Sequence, residues 1–358
     1  MNESIDYLIF KGLAGSHSYG TNIATSDIDY RGVFVAPPSY ILSCIKKIEQ
    51  VESSIEDEVI FELKKFMNLC SQCNPNIIEI LFLDEKSILY IDDHFKKLRD
   101  NRNIFLSKRI RDTFGGYAKS QMHRIKGHKK WIQNPQPVDP PRLENYCKFI
   151  GTNGQIEKDA NTINQLQSRC FLAETFGTTQ FRVYTSPDFF KDKLGFFNES
   201  CNDVKYCNVS DDVLSNKATY QGMLWVNFDE FKKQLKEWTQ YWEWKKNRNP
   251  DRAVLEEKFS YDAKHALHLV RLTRMCEEIL STGEVHVFRK DAKELLDIRN
   301  GKFSYDELLS WADEMDLKLD ELCQKSSLPK ICDSEKIDQL YREVLLSYWK
   351  SKGLILNQ

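Results

Sequence analysis

The chain has 358 residues, of which 41% are hydrophobic, 12% aromatic and 29% charged; this excludes a disordered chain and supplies apolar surface for one large or two ordinary domains. A formal net charge of −2 excludes a global positive field, so a nucleic-acid partner must be held by a local basic surface. MNESIDYLIF lacks a basic leader before a long apolar run, and no later stretch approaches the ~18 apolar residues of a membrane span, which predicts a cytoplasmic protein with no membrane partner.

In chain order, Tyr7 to Leu13 is a short apolar run that ends in Ala14-Gly15-Ser16-His17-Ser18-Tyr19-Gly20-Thr21. This pattern predicts a strand, a tight turn and a short helix. From Asp27 to Val35 apolar residues alternate with polar ones until Pro37-Pro38, the signature of a strand with a firm stop. Glu58 to about Leu63 is a third candidate strand, Phe66 to Cys73 has helical periodicity, and Asn74-Pro75-Asn76 reads as a breaker. Ile77 to Leu83 is apolar enough to be a buried helix or strand.

Beyond about residue 90 the pattern is mainly helical, with expected helices at Asp92 to Asn101, Lys108 to Trp131, Asp159 to Glu174, Asp229 to Lys246 and Tyr261 to Ser281. NPQPVDPPR, between Asn134 and Arg142, holds four prolines, and Thr185 to Leu224 is punctuated by Gly, Asn and Ser; both read as loops or an insertion. No internal repeat occurs. The expected fold is therefore an α/β (α+β) core with a small mixed sheet over residues 1–90, followed by a mostly helical region over 91–358 with an irregular insertion around 185–224.

Asp27 and Asp29 are separated by one residue, and on a strand they project to the same face. Two neighbouring anions repel unless a cation lies between them, so the pair suits one or two Mg²⁺ ions with hard oxygen ligands. An Asp-rich solvated turn is the alternative. Upstream, Gly15-Ser16 at a helix start offers backbone N–H groups and a hydroxyl to a phosphate chain. The eleven-residue spacing from Ser16 to Asp27 lets a short helix run out and the chain return on a neighbouring strand, bringing both features to one sheet edge.

Gly15-Ser16 followed by Asp27-Ile28-Asp29 resembles the signature of the DNA polymerase β nucleotidyltransferase superfamily. More narrowly, GSHSYGTNIATSDIDYRGVFV, FELKKFMNLCSQCNPNIIEILF and YDAKHALHLVRLTRMCEEILSTGEVHVFR with IRNG resemble the YcgL-type family of bacteria and phages, also named for a suspected RNA repair pathway. The resemblance implies a third carboxylate on the next strand. Phe61-Glu62-Leu63 fits that pattern, Glu58 on the same strand face is the alternative, and a solvent-facing helical Glu62 is the ordinary reading.

The implied catalytic and metal-binding set is Asp27, Asp29 and Glu62 with two Mg²⁺ (or Mn²⁺) ions, and Gly15 and Ser16 would hold the β- and γ-phosphates of a nucleoside triphosphate. The implied reaction joins a nucleoside monophosphate to a hydroxyl acceptor, RNA first. Protein side-chain nucleotidylation is the alternative acceptor, and an inactive nucleotide-sensing module is the alternative class.

On the helix Tyr261 to Ser281, Lys264, His268, Arg271 and Arg274 recur at three- and four-residue spacing and border one face. Lys264, His268 and Arg271 are candidates for the nucleotide or RNA phosphates; a solvated face pairing with Asp262 and Glu278 is the ordinary reading. His265 and His268 lack the Glu and the i,i+4 spacing of a helical zinc pair. Arg289 and Arg299 face the cleft or form salt bridges.

KSQMHRIKGHKK, Lys119 to Lys130, carries five Lys or Arg and two His in twelve positions and suits single-stranded nucleic acid or an ordinary exposed helix. Trp238 and Trp242 share a helical face, where core packing is favoured over base stacking. The ten cysteines are irregularly spaced and read as mostly buried thiols; Cys70 and Cys73 form a lone Cys-x-x-Cys pair without a zinc-ribbon partner.

Overall fold

The computed structural model describes residues 7–53, 57–175, 177–185, 191–248, 254, 256 and 258–355. The chain divides into two compact units, Met1–Gln133 with Pro250–Gln358, and Asn134–Asn249. This division differs from the expected boundary at residue 90, because helices from both ends of the chain complete the core of the first unit.

The first unit contains a five-stranded sheet in the order β3-β4-β2-β1-β5, built from β1 (Leu8–Ala14), β2 (Asp29–Phe34), β3 (Gln50–Ser53), β4 (Asp57–Glu62) and β5 (Ile88–Ile91). β1 pairs antiparallel with β2 and β5, and β4 runs parallel to β2 and antiparallel to β3. The strand expected over Asp27 to Val35 forms as β2, with Asp27 just ahead of it.

Gly15 turns the chain at φ +62°, left-handed backbone that glycine tolerates, into α1 (Gly15–Tyr19), which ends at Gly20 in the same region. After α2 (Pro38–Ile41), Glu62 caps α3 (Leu63–Ser71). Asn74-Pro75 begins α4 (Pro75–Leu81) instead of only breaking α3: Asn74 Oδ1 accepts from the Asn76 N–H at 3.1 Å, and Pro75 occupies the first turn where no N–H is needed.

α5 (Asp93–Asp100) and α6 (Ile110–Gln133) follow, and the second segment supplies α10 (Ala263–Thr282), α11 (Ala292–Arg299), α12 (Tyr305–Lys325) and α13 (Ser334–Ser351). α6 buries Ile110, Phe114, Ala118 and Ile125 on one stripe, whereas α10 is buried on nearly every side and is the central helix of the unit. One apolar cluster joins Phe10, Phe61, Phe66, Phe95, Phe114, Val270 and Trp349. Trp349 on α13 also donates its indole N–H to the Ala36 carbonyl at 2.9 Å.

The second unit was expected to be helices and loops, but it is built on a six-stranded sheet in the order β10-β8-β9-β11-β6-β7. Its strands are β6 (Cys147–Gly151), β7 (Ile156–Glu157), β8 (Cys170–Ala173), β9 (Gln180–Thr185), β10 (Tyr206–Cys207) and β11 (Thr219–Val226). The helix expected over Asp159 to Glu174 stops early: α7 (Ala160–Gln167) ends, and Cys170–Ala173 becomes β8, buried at all four positions. A four-residue apolar run has no period that separates helix from buried strand.

The stretch read as irregular, Thr185 to Leu224, holds β10, α8 (Asp211–Lys217) and most of β11; its residues 186–190 lie outside the described residues. On α9 (Phe228–Asn247), Trp238 and Trp242 both donate an indole N–H to the Pro137 carbonyl at 2.9 Å, which ties the proline-rich segment to that helix. Every cysteine is a free thiol and only Cys44 is exposed, and among the described residues no helix is long and apolar enough to cross a membrane.

Phe95 stacks on Phe10 with ring centroids 4.1 Å apart, and both are fully buried. Phe95→Ala should cost about 3–5 kcal/mol, read as faster hydrogen exchange in β1 and β5. A loss below roughly 1 kcal/mol would mean that the site collapses around the missing ring.

Candidate active site

The register of the sheet places the acidic residues. Ala14 at the end of β1 pairs with Asp29 at the start of β2, and Asp29 pairs in turn with Asp57 at the start of β4. The Asp29 carboxylate lies against Gly15 so closely that a Cβ on Gly15 would stand 2.1 Å from Oδ2. Only a glycine fits beneath it, for both its φ and its missing side chain.

Asp29 and Asp57 are in side-chain contact. Burial, followed by the hydrogen bond and charge of Asp57, raises the Asp29 pKa above the usual carboxylate value, against the opposing pull of Arg31 and Lys264. Arg31 lies beside them, its Nη1 3.5 Å from Asp57 Oδ1. Two carboxylates in contact fit a divalent cation, which would offset the repulsion between them.

Asp29 and Arg31 open on a cleft of roughly 710 Å³, and Asp57 lies beside them at the end of β4. Asp29, Arg31, Glu52, Val59 and Phe61 form its sheet wall, with Gly15, Ser18 and Tyr19 at one end. The opposite wall comes from α6 and α10 and carries Tyr117, Gln121, Arg124, Lys264, His265 and His268. An acidic wall thus faces a basic one.

Beneath α1 lies a buried polar network. The Tyr19 hydroxyl donates to Glu79 Oε2 at 2.7 Å, and Arg271 Nη1 donates to Glu79 Oε1 at 2.6 Å. The Arg271 guanidinium also stands 3.7 Å from the centre of the Tyr19 ring. All three side chains are at most 6% exposed. Burial pushes the Tyr19 hydroxyl far above its ordinary range, so it remains a donor.

Of the residues proposed from sequence, Gly15, Asp29, Lys264 and His268 meet in the cleft, and Arg271 reaches its floor as the partner of Glu79. Ser16 sits in the first turn of α1, where its carbonyl accepts from the Gly20 and Thr21 N–H groups. Asp27 is exposed at the approach to β2. Glu62 is not brought to Asp29: it pairs with Phe34 at the other end of β4, five residues or about 16 Å from Asp57. There it is 2% exposed and accepts from the Lys64 N–H at 2.7 Å.

Alternation along β4 puts Asp57, Val59 and Phe61 on the cleft side and Glu58 and Glu62 on the other, and Glu58 is paired with Lys11 at 2.6 Å. Asp57 was missed because the expected strand began one residue late. Of the remaining basic candidates, Arg274 pairs with Asp291 and Glu294, and Arg289 forms a two-pronged bond with Glu278 at 2.6 and 2.7 Å. In the basic run on α6, Arg124 faces the cleft, Lys119 pairs with Asp316, and Lys129 lies 3.3 Å over the Tyr305 ring.

Residues 2–134 match the RNA repair pathway DNA polymerase beta family. That stretch contains the Gly15 turn, Asp29, Asp57 and the α6 wall. The chain is also 26% identical over 135 residues to an uncharacterized 38.9 kDa protein of Enterobacteria phage T4 from the nrdC-mobD intergenic region. That similarity spans 34% of this chain and 40% of the length of the phage protein. The α10 wall, with Lys264 and His268, lies outside the region matched by the family.

The burial of Asp29 and its contact with Asp57, which together raise its pKa, have a measurable sign. A carboxyl whose folded pKa is raised contributes stability that is complete below its unfolded pKa and is lost as pH rises through the folded value. Asp29→Asn should therefore raise the Tm of chelator-treated protein at neutral pH, with the gain shrinking as the pH falls through the raised folded value and gone below about pH 4. A pH-independent Tm difference would show that the contact is not repulsive.

Proposed function

We propose that the first unit is a divalent-metal-dependent nucleotidyltransferase that transfers a nucleoside monophosphate from a nucleoside triphosphate to a hydroxyl of RNA, as in repair or modification of RNA ends. The observation that carries this reading is the Asp29–Asp57 pair seated on Gly15, at the edge of a cleft whose far wall is basic. Asp27, Asp29 and Asp57 would hold Mg²⁺ or Mn²⁺, with Asp57 in the role first considered for Glu62. Bound there, the metal would neutralise phosphate charge and lower the pKa of the acceptor hydroxyl.

The chain's own groups do the rest. Lys264, His268 and Arg124 hold the triphosphate by charge-assisted hydrogen bonds across from the acids. The acceptor oxygen bonds to the α-phosphorus, the bond to the α–β bridging oxygen breaks, pyrophosphate leaves, and the hydroxyl proton passes to a cleft carboxylate. Arg271 acts as a positioning residue, because its guanidinium and Glu79 fix Tyr19 and with it α1.

Purified protein incubated with Mg²⁺, each α-³²P-labelled nucleoside triphosphate and either total RNA or protein extract tests the reading. Label should enter RNA and fall about 100-fold or more in Asp29→Asn and Asp57→Asn, while Glu62→Gln retains most of it. Label in protein instead would move the acceptor to a side chain. Tight nucleotide binding without any labelled product would make the chain a nucleotide sensor, and loss in Glu62→Gln but not in Asp57→Asn would reverse the assignment of the third acid.

A further inference from the structure

The α6–α10 wall contains a cluster that nucleotidyl transfer does not use. Asp262 caps the N-terminus of α10: its Oδ1 accepts from the N–H groups of Lys264 at 3.0 Å and His265 at 3.2 Å. Its Oδ2 faces two imidazoles, His265 Nε2 at 3.4 Å and His128 Nδ1 at 3.5 Å. His128 comes from the last turns of α6, so the cluster spans two helices. The three ligand atoms all lie within 4.8 Å of one another, and this is the one group of three or more His, Cys, Asp or Glu so placed among the described residues.

We propose that Asp262, His128 and His265 form a binding site for a zinc-like divalent transition-metal ion, separate from the carboxylates at Gly15. Three observations converge. The oxygen–nitrogen separations of 3.4 and 3.5 Å are long for N–H···O hydrogen bonds, which centre near 2.9 Å. They equal the edge of a tetrahedron built on metal–ligand bonds of about 2.0–2.1 Å, which is roughly 3.4 Å.

The second observation concerns the other nitrogen of His265. Its Nδ1 lies 2.7 Å from Gln121 Oε1, an acceptor that suits an Nδ1–H donor, which leaves Nε2, the atom nearest Asp262, as the nitrogen that would ligate. A ligating histidine is ordinarily held in this way through its second nitrogen. Third, the carboxylate is 2% exposed and the two imidazoles are 17% and 12% exposed, while His128 stacks on Trp131 at 5.8 Å; the donors are held in place.

Two imidazole nitrogens and one oxygen select zinc-like ions over Mg²⁺, which requires oxygen ligands. Three protein donors leave a fourth position for water. The positive end of α10 opposes a cation there, and the Asp262 carboxylate offsets it. Loading would clip the end of α6 to the start of α10 and fix the wall that presents Arg124, Lys264 and His268. The inference does not depend on the transferase reading.

Chelator-treated full-length protein titrated with Co²⁺ should develop the strong visible bands of a four-coordinate site, saturating at a single equivalent and displaced by Zn²⁺. His128→Gln and His265→Gln, with folding checked by circular dichroism, should each lower affinity by more than the roughly 10–100-fold that loss of an outer-shell partner costs, and Asp29→Asn should leave the bands intact. Weak six-coordinate bands, bands unchanged in both histidine variants, or bands lost in Asp29→Asn would overturn the proposal. X-ray absorption on zinc-loaded wild-type protein, which needs no variant, should show two imidazoles bound to the metal; fewer would also overturn it.

Discussion

The contact on which the candidate site depends is the Asp29 carboxylate resting on the backbone of Gly15. A Cβ there would stand 2.1 Å from Oδ2, so the absence of one side chain leaves room for the carboxylate where β1 and β2 pair at Ala14 and Asp29. The same glycine, at φ +62°, turns the chain into α1. With Asp29 fixed, the parallel register brings in Asp57, and two acids meet that would repel each other in water. That arrangement works against stability in the absence of a cation, as functional sites commonly do.

Behind this contact is a support layer whose own cost is high. Arg271 and Glu79 are 3% and 4% exposed, and a buried ion pair stabilises little unless its remaining hydrogen-bonding groups are matched. Here the Tyr19 hydroxyl takes the second carboxylate oxygen and its ring covers the guanidinium, while Arg271 Nε is buried without a hydrogen-bond partner. The network contributes specificity of placement: it ties α1, α4 and α10 to one geometry. Because α10 is buried nearly all round, it can present Lys264 and His268 from a rigid position to the cleft.

Much of the architecture is legible in the sequence where the pattern is long or the chemistry local. The strand–turn–helix at Tyr7 to Gly20, the strand after Asp27 and the long helices near Ile110–Gln133 and Ala263–Thr282 all follow from periodicity and glycine placement. Short apolar runs account for two of the failures. Cys170–Ala173 is buried at every position, and so carries no alternation to mark it as a strand. β4 has Ile60 in one apolar cluster and Phe61 in another, so both of its faces are covered and the sequence could not tell which acid faces the cleft.

The sequence by itself determined that the Gly-Ser turn and the strand that begins at Asp29 lie near each other, because both are local and joined by a short connection. Tertiary structure alone decided which residues complete the site. The parallel pairing of β4 with β2 brings Asp57 to Asp29 and leaves Glu62 about 16 Å away. Packing of α10 turns Arg271 inward to Glu79, 192 residues distant in sequence, although it shares a helical stripe with Lys264 and His268. His128 and Asp262 likewise meet only because α6 and α10 pack together. Strand register and helix packing are long-range outcomes of burial, and local spacing does not encode them.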